Sequence, residues 1–417
     1  MEPDSQLSPA LLKKVVYAAA RSTSFRQAEE DLLMLAEVKV SAQRVRRASQ
    51  CVGEERVAQS RAAAAAYQRL PLPARQQSPH EQAPPVACIQ TDGGRIQIRP
   101  RDAGAASPND PLAVVSPSQR AVVSPSQRQA NWWRETKVGC LLSMTSDRHA
   151  QDPTPTIPAV FVDRRRMAEM VREIKGFSSE AAEEDSPPPE ENGYQAPRVT
   201  SQSVLATREP VDAFGDRLVA AAYALGFAAA LRKAFVADGS ETNWSLWRRH
   251  FPRYTPILDW VHAVCYVYAA AMAGVNAREG WAAYCRWAQW LWSGAVDRIL
   301  EQLAQRQATL GPPPDGDAET SPQQRVADAL RYLANQRSRM NYPEYRRQGL
   351  PITSSHVEST IKRINRRVKG TEKFWDQGAE PLLHLAADYL GPPEALDEFW
   401  AARPRQLDSQ RCYCSAN

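Results

Sequence analysis

The chain lacks the features that mark several common classes of protein. Its 417 residues include seven cysteines, but these are scattered singly apart from a C-x-C at Cys412 and Cys414, and no C-x-x-C pair occurs. A structural zinc site, which draws on paired ligands, is therefore not expected. An odd number of dispersed cysteines, with no apolar signal region at the N-terminus, points to a reducing cytosol rather than a disulfide framework. Long hydrophobic runs are missing as well. The most apolar stretch, 257–275, is broken early by Asp259 and His262 and reads as a buried helix, not a membrane span. Strong charge imbalance is also absent: a net charge of +5 fits a polyanionic partner without establishing one, so its distribution matters more than its total. What is present is ordinary core material, 43% hydrophobic residues, in a chain long enough for about two or three domains.

The N-terminal part reads as helical and basic. A helix over 11–20 is followed by the cap-like Ser22-Thr23-Ser24 and a second helix from Phe25 to about Glu37, with Phe25, Ala28, Leu32 and Leu35 on one face. Ser41 is a plausible N-cap for a third helix with Val45, Ala48 and Val52 inward and Gln43, Arg44, Arg46 and Arg47 outward. That layout suits a helix-turn-helix, whose last helix enters the major groove, and it also suits an ordinary three-helix bundle. Helix is expected to continue to about Tyr67, and the Pro-, Gln- and Ser-rich 70–85 reads as a linker.

The second domain is expected to begin with a strand over 85–91 that stops at Asp92-Gly93-Gly94 before alternation resumes at Arg95. Two readings stand side by side: a tight hairpin turn, and a carboxylate presented at a strand end. Residues 100–130 read as irregular and contain an immediate duplication, AVVSPSQR, of the kind that slippage leaves in a tolerant loop. A central strand is expected over 137–145, a short strand or helix at Val160-Phe161-Val162, a basic helix over 164–175, and an acidic, Pro-rich excursion over 178–196. After a helix over 214–232, a second apolar run again ends in Asp-Gly, at Asp238-Gly239, and a third, 255–259, leads into Trp260 and His262. The interval 275–348 reads as mostly helical, with Trp281, Trp287, Trp290 and Trp292 as core.

The densest pattern is LPITSSHVESTIKRINRRVKGTEKFW at 350–375, a strand-like approach followed by a basic helix. From about Ser355, Val357, Ile361, Ile364 and Val368 form one apolar stripe. Glu358 sits beside it, bordered by Lys362, Arg363, Arg366, Arg367 and Lys369. Ser355-x-x-Glu358 is also a capping box, in which serine and glutamate satisfy backbone donors at a helix start. Asp92, Asp238 and Glu358 lie far apart in sequence, two at strand ends and one near a helix start. Metal-assisted phosphoryl transfer needs hard oxygen ligands from separate elements, converging on Mg²⁺ or Mn²⁺ ions roughly 3.5–4 Å apart.

In combination, VACIQTDGGR, KVGCLLSMT, RKAFVADGSETNW, PILDWVHAVCYVYAAAMAG, YRRQGLPITSSHVESTIKRINRRVKGTEKFW and LLHLAADYL resemble bacterial insertion-sequence transposases of the Kra-type group, members of the DDE superfamily related to Mutator-like transposases. The resemblance runs from about 11 to 389. It implies an α/β fold: an RNase H-like mixed sheet with helices and a large all-helical insertion, preceded by an all-α, helix-turn-helix-like N-terminal domain. The implied division is 1–69, a linker 70–85, catalytic core 86–274, helical insertion 275–348, the rest of the core 349–395, and a tail 396–417. Asp92 looks like the first catalytic aspartate, Asp238 like the second and Glu358 like the third ligand. Asp259-Trp260-Val261-His262 is similar to the D-x-x-H signature of such enzymes, which makes His262 a catalytic candidate, although a lone histidine in an apolar helix is also a common core residue. Two Mg²⁺ or Mn²⁺ ions are implied as cofactors, and cleavage and strand transfer at the element ends as the activity. The implied partner is double-stranded DNA, held by Lys362, Arg363, Arg366, Arg367 and Lys369 beside the metals and by Arg44, Arg46 and Arg47 at terminal sequences. Pairing two ends implies a homodimer or higher assembly in the cytoplasm, on the nucleoid and off the membrane. Members of the group carry a cysteine-containing segment ahead of the N-terminal helices, so a shortened copy is expected here. The competing expectation is a decayed or domesticated copy that binds DNA without cutting it.

Overall fold

A computed structural model describes residues 7–80, 83–98, 133–175, 195–313, 321–369, 375 and 378–414. The irregular stretch with the AVVSPSQR duplication lies outside the described residues, as does nearly all of the acidic, Pro-rich excursion.

Serines start the N-terminal helices as their spacing suggests. Ser8 caps α1 (Pro9–Arg21), Ser24 caps α2 (Phe25–Ala36) and Ser41 caps α3 (Ala42–Arg69), each accepting from the backbone N–H three residues on. Such a bond satisfies one of the donors left open at a helix start and is typically worth about 1 kcal/mol. The three helices pack on one another through Leu12, Val15, Val16, Ala28, Leu32 and Val45. They do not close this core alone, because Leu385 and Phe399 from the C-terminal helices complete it. Leu35, expected inward, is 86% exposed, whereas Ala28 and Leu32 are buried. Its backbone lies at the end of α2, where Glu37 turns into the left-handed region at φ 53° and the stripe loses its partner.

After the short α4 (Leu72–Arg75) comes the sheet, formed by β1 (Val86–Gln97), β2 (Trp133–Thr145), β3 (Arg198–Thr207), β4 (Arg232–Ala237) and β5 (Thr255–Leu258). The spatial order is β3-β2-β1-β4-β5. The β1–β2 and β2–β3 pairs are antiparallel, while β1–β4 and β4–β5 are parallel. The fold is therefore mixed α/β. Residues 86–91 of β1 are all buried, the mark of a strand covered on both faces. The central strand is thus β1, and β2, expected there, is its neighbour.

Between the strands lie α5 (Arg164–Lys175), α6 (Val211–Ala224), α7 (Glu241–His250) and α8 (Trp260–Ala271). The helix expected to reach residue 232 instead stops at Ala224, a 3₁₀ turn follows at Phe227–Ala229, and β4 takes over at Arg232. Val160-Phe161-Val162 falls in another 3₁₀ turn, Ala159–Val162. The helical stretch that follows comprises α9 (Ala277–Trp292), α10 (Val296–Leu310), α11 (Pro322–Gln336) and α12 (Tyr342–Arg347). Its tryptophans are core: Trp287 and Trp292 are buried, Trp281 and Trp290 pack against the same cluster, and Trp292 stands edge-on to Trp260 at 4.8 Å between ring centroids. The chain then returns to the sheet through α13 (Ser355–Val368) and ends in α14 (Ala379–Asp388) and α15 (Pro393–Cys414). The strand-like approach 350–354 joins no strand among the described residues. Val357, Ile364 and Val368 are buried and Ile361 packs against them, so the apolar stripe of α13 does face the core.

Candidate active site

The parallel ladders decide where the carboxylates fall. The last β1–β4 pair is Thr91–Ala237, and the last β4–β5 pair is Ala237–Leu258. Asp92, Asp238 and Asp259 are each the next residue, so three adjacent parallel strands present a carboxylate at one edge. In open α/β sheets this carboxyl edge is where ligands bind. The Asp92-Gly93-Gly94 stretch is not a hairpin turn. β1 runs straight through it, with Asp92 opposite Val138 and Gly94 opposite Thr136. Only the parallel pairing ends there, and that is what leaves the Asp92 carboxylate at an edge. Asp238 does sit at a strand end, followed by Gly239 at φ +93°, where a side chain would meet the Tyr332 ring.

Each of these groups is held differently. The Asp238 carboxylate accepts from Ser240 N at 3.0 Å and from Asn243 Nδ2 at 2.9 Å. Asn243 also bonds Thr91 Oγ1 at 2.9 Å and the Thr91 carbonyl at 3.3 Å, tying the two aspartate-bearing strands together. Asp92 Oδ1 accepts from Gly93 N at 2.6 Å, and among the described residues its other oxygen has no protein donor. Burial, with Asp238 and Glu358 nearby, pushes its carboxyl up to about 6, against the opposing pull of the Gly93 N–H and His262. A cleft of about 200 Å³ opens on this pair, walled by Glu135, Lys137 and Asn243.

Glu358 arrives from the other side on α13. The expected capping box does not form: Ser354, not Ser355, is the N-cap, and it makes no side-chain cap bond. The cap comes from the sheet instead. Gln90, buried in β1 two residues before Asp92, accepts from Val357 N at 3.2 Å and donates to the Thr353 carbonyl at 2.9 Å. Asp259 accepts from Ser354 N. The Glu358 carboxylate is thus not used as a cap, and among the described residues it has one bond, from Ser354 Oγ at 3.3 Å. Burial and the Asp259 charge raise Glu358 above the usual carboxylate range, partly offset by His262, Ser354 and Lys362.

Asp259 is fully buried, and burial alone would raise it; its bonds to His262 and to the Ser354 N–H reverse that and hold it low. Its Oδ1 accepts from His262 N at 2.8 Å and lies 3.2 Å from His262 Nδ1. Burial opposes protonation of His262, but Asp259, Asp238 and Glu358 outweigh it and lift the imidazole to about 9. Ligand atoms of Asp259, His262 and Glu358 lie within 4.8 Å of one another. The edge thus carries four carboxylates and one imidazolium, and a divalent cation would offset the surplus negative charge. Hard oxygen donors with unfilled lone pairs on Asp92 and Glu358 fit that group.

The basic residues divide. Arg363 and Arg366 on α13 and Lys369 at its C-cap are exposed, with Lys369 Nζ 5.6 Å from the Trp133 ring. Lys362, also exposed, pairs with Glu173 of α5. Arg367 is 3% exposed, bonds the Ala19 carbonyl at 2.6 Å and stacks on Phe25 at 4.5 Å. Burial pulls its guanidinium down to about 10. It rivets α13 to α1 and cannot also reach a phosphate, contrary to expectation. Arg46 and Arg47 are exposed near the start of α3 and Arg44 is half-buried, while further along the same helix Arg56 bonds Asp388 at 2.8 Å and anchors it to α14.

Sequence reading missed Gln90, Asn243 and Lys137. An amide inside the otherwise apolar VACIQT run was the available signal, since a buried amide needs partners. Among the described residues no helix is long and apolar enough to cross a membrane. No protein-family description matches this chain, and no curated protein matches it.

Proposed function

We propose that the chain is a DDE-type transposase that cuts and joins DNA at the ends of a mobile element. The observation that supports this reading is that Asp92 and Asp238 share one sheet edge and one cleft, with Glu358 of α13 close enough for its charge to help raise the Asp92 carboxyl. The strand order 3-2-1-4-5, with only β2 running antiparallel to its neighbours, supports an RNase H-like core, and α9 to α12 would be the all-helical insertion. The reaction class is hydrolysis of a phosphodiester to free a 3′-hydroxyl, followed by attack of that hydroxyl on target DNA.

Asp92, Asp238 and Glu358 would hold Mg²⁺ or Mn²⁺, which when bound activates the attacking oxygen and stabilises the leaving one. Asn243 fixes the Asp238 carboxylate against the β1 backbone. Gln90 and Asp259 set the height of α13, and with it the reach of Glu358. Arg363, Arg366 and Lys369 line the outer side of the same helix and would take DNA phosphates, while Arg46 and Arg47 offer a second basic surface for terminal sequences. Joining two ends in one complex favours at least a dimer on DNA.

The test is strand cleavage of element-end DNA by the purified chain. Wild type nicks the end when Mg²⁺ is added; Asp92→Asn, Asp238→Asn and Glu358→Gln bind the same DNA and do not nick it. Metal-independent binding with no product from wild type would instead support a non-catalytic DNA-binding protein, and cutting without preference for element ends a general nuclease.

A further inference from the structure

The proposed site is not chemically symmetric, and the asymmetry lies in Asp259 and His262. Asp259 offers no spare oxygen: Oδ1 serves the His262 backbone N–H and faces its Nδ1, and Oδ2 takes the Ser354 N–H. The residue is fully buried beneath the site. It therefore acts from behind, orienting the imidazole with Nδ1 inward, and the ring atom left over is Nε2. That nitrogen has no protein partner among the described residues, and the side chain keeps 20% of its surface open. Ligand atoms of Glu358, His262 and Asp259 lie within 4.8 Å of one another. A carboxylate that takes one ring nitrogen of a histidine and leaves the other for a cation is how metal-binding histidines are commonly held.

We infer that His262 Nε2, its proton released to solvent as the cation binds, is the nitrogen ligand of one of the two cations, so that the site has an oxygen-only position at Asp92 and Asp238 and a mixed nitrogen–oxygen position at Glu358 and His262. This rests on the metal-dependent reading above and adds to it a metal preference. Mg²⁺ suits the oxygen-only position, whereas Mn²⁺ or Co²⁺, which accept imidazole readily, suit the mixed one. Asp259 is a positioning residue and not itself a ligand.

The experiment is pulsed electron paramagnetic resonance on the full chain loaded with Mn²⁺ alone. The expected spectrum carries the ¹⁴N coupling of one directly bound imidazole, replaced by ¹⁵N coupling when the protein is made with ¹⁵N-histidine. His262→Gln abolishes it, and Asp92→Asn leaves it in place. Absence of nitrogen coupling in wild type, or coupling that survives in folded His262→Gln, overturns the inference. Should His262→Gln fail to fold, the isotope-labelled wild type still decides between a bound imidazole and none. Failures remain separable: Mg²⁺-dependent nicking without nitrogen coupling sinks only this inference, and nitrogen coupling without nicking sinks only the transposase reading.

Discussion

Asp92 and Asp259 occupy equivalent places, each one residue beyond the last pair of a parallel ladder on the same sheet edge. Their chemistry is opposite. Asp259 is the more deeply buried, yet it is held low because His262 and the Ser354 N–H meet its charge. Asp92 is less buried, yet burial pushes it up to about 6, because among the described residues one N–H is all that opposes it by hydrogen bonding. The difference teaches that burial does not mark a ligand; burial without donors does. A carboxylate satisfied by its own protein is an anchor, and one left short is available to a cation.

The sharpest way to break this comparison is to remove each member. Asp92→Asn, Asp238→Asn or Glu358→Gln should lower Mg²⁺-dependent nicking by a factor on the order of 10³ or more, since a bound cation supplies several kcal/mol of charge stabilisation. Single-turnover cleavage of end-labelled DNA measures it. On the anchor side the large effect is on stability. His262→Ala strips the buried Asp259 of its counter-charge and should cost roughly 3–5 kcal/mol in denaturant unfolding. With its folded value raised to about 9, His262 contributes stability that is complete below its usual 6.5 and lost as pH rises through about 9. Unfolding midpoints followed from pH 6 to 10 should show that loss in wild type.

Gln90 tests whether a remote cap positions Glu358. Gln90→Leu should lower metal affinity or cleavage by roughly 10–100-fold, the usual scale for a group that orients a ligand, while Gln90→Glu, which keeps the acceptor for Val357 N, recovers part of the Mn²⁺ affinity. Equal loss in both would mean that the amide only fills space.

Much of this site could be read from the chain, and the reason is local. Asp92 and Asp238 close apolar runs, and the α13 stripe repeats at helical spacing, so both signals sit within a few residues. What could not be read is set by partners tens to hundreds of positions away. Asp-Gly-Gly looked like a turn because turn chemistry is local, but β2 pairs on through it and holds it extended. Ser355-x-x-Glu358 looked like a capping box because nothing nearby shows that Gln90, on another element, already caps the helix. Arg367 looked like its neighbours Arg363 and Arg366 in a basic run, yet only helical phase and the α1 backbone decide that it points inward.

That last contrast gives a smaller prediction. Arg363→Ala, Arg366→Ala and Lys369→Ala should each reduce the salt slope of DNA binding by about one and weaken binding similarly for all sequences. Arg367→Ala should leave the slope unchanged and lower the melting temperature. The smallest effect returns to Asp92. Its folded carboxyl titrates above the usual 3.8, so the native state binds more protons between that value and about 6, and stability falls as pH rises through the window. Asp92→Asn removes the penalty: without divalent ions it should melt a few degrees above wild type at pH 7 and together with it below pH 4.

Anomalous diffraction from Mn²⁺-loaded crystals tests the central claim most directly. The account predicts two peaks at the carboxyl edge of β1 and β4, one between Asp92 and Asp238 and one reached by Glu358, roughly 3.5–4 Å apart. No peak at Asp92 and Asp238 in crystals with the site open to solvent would contradict it.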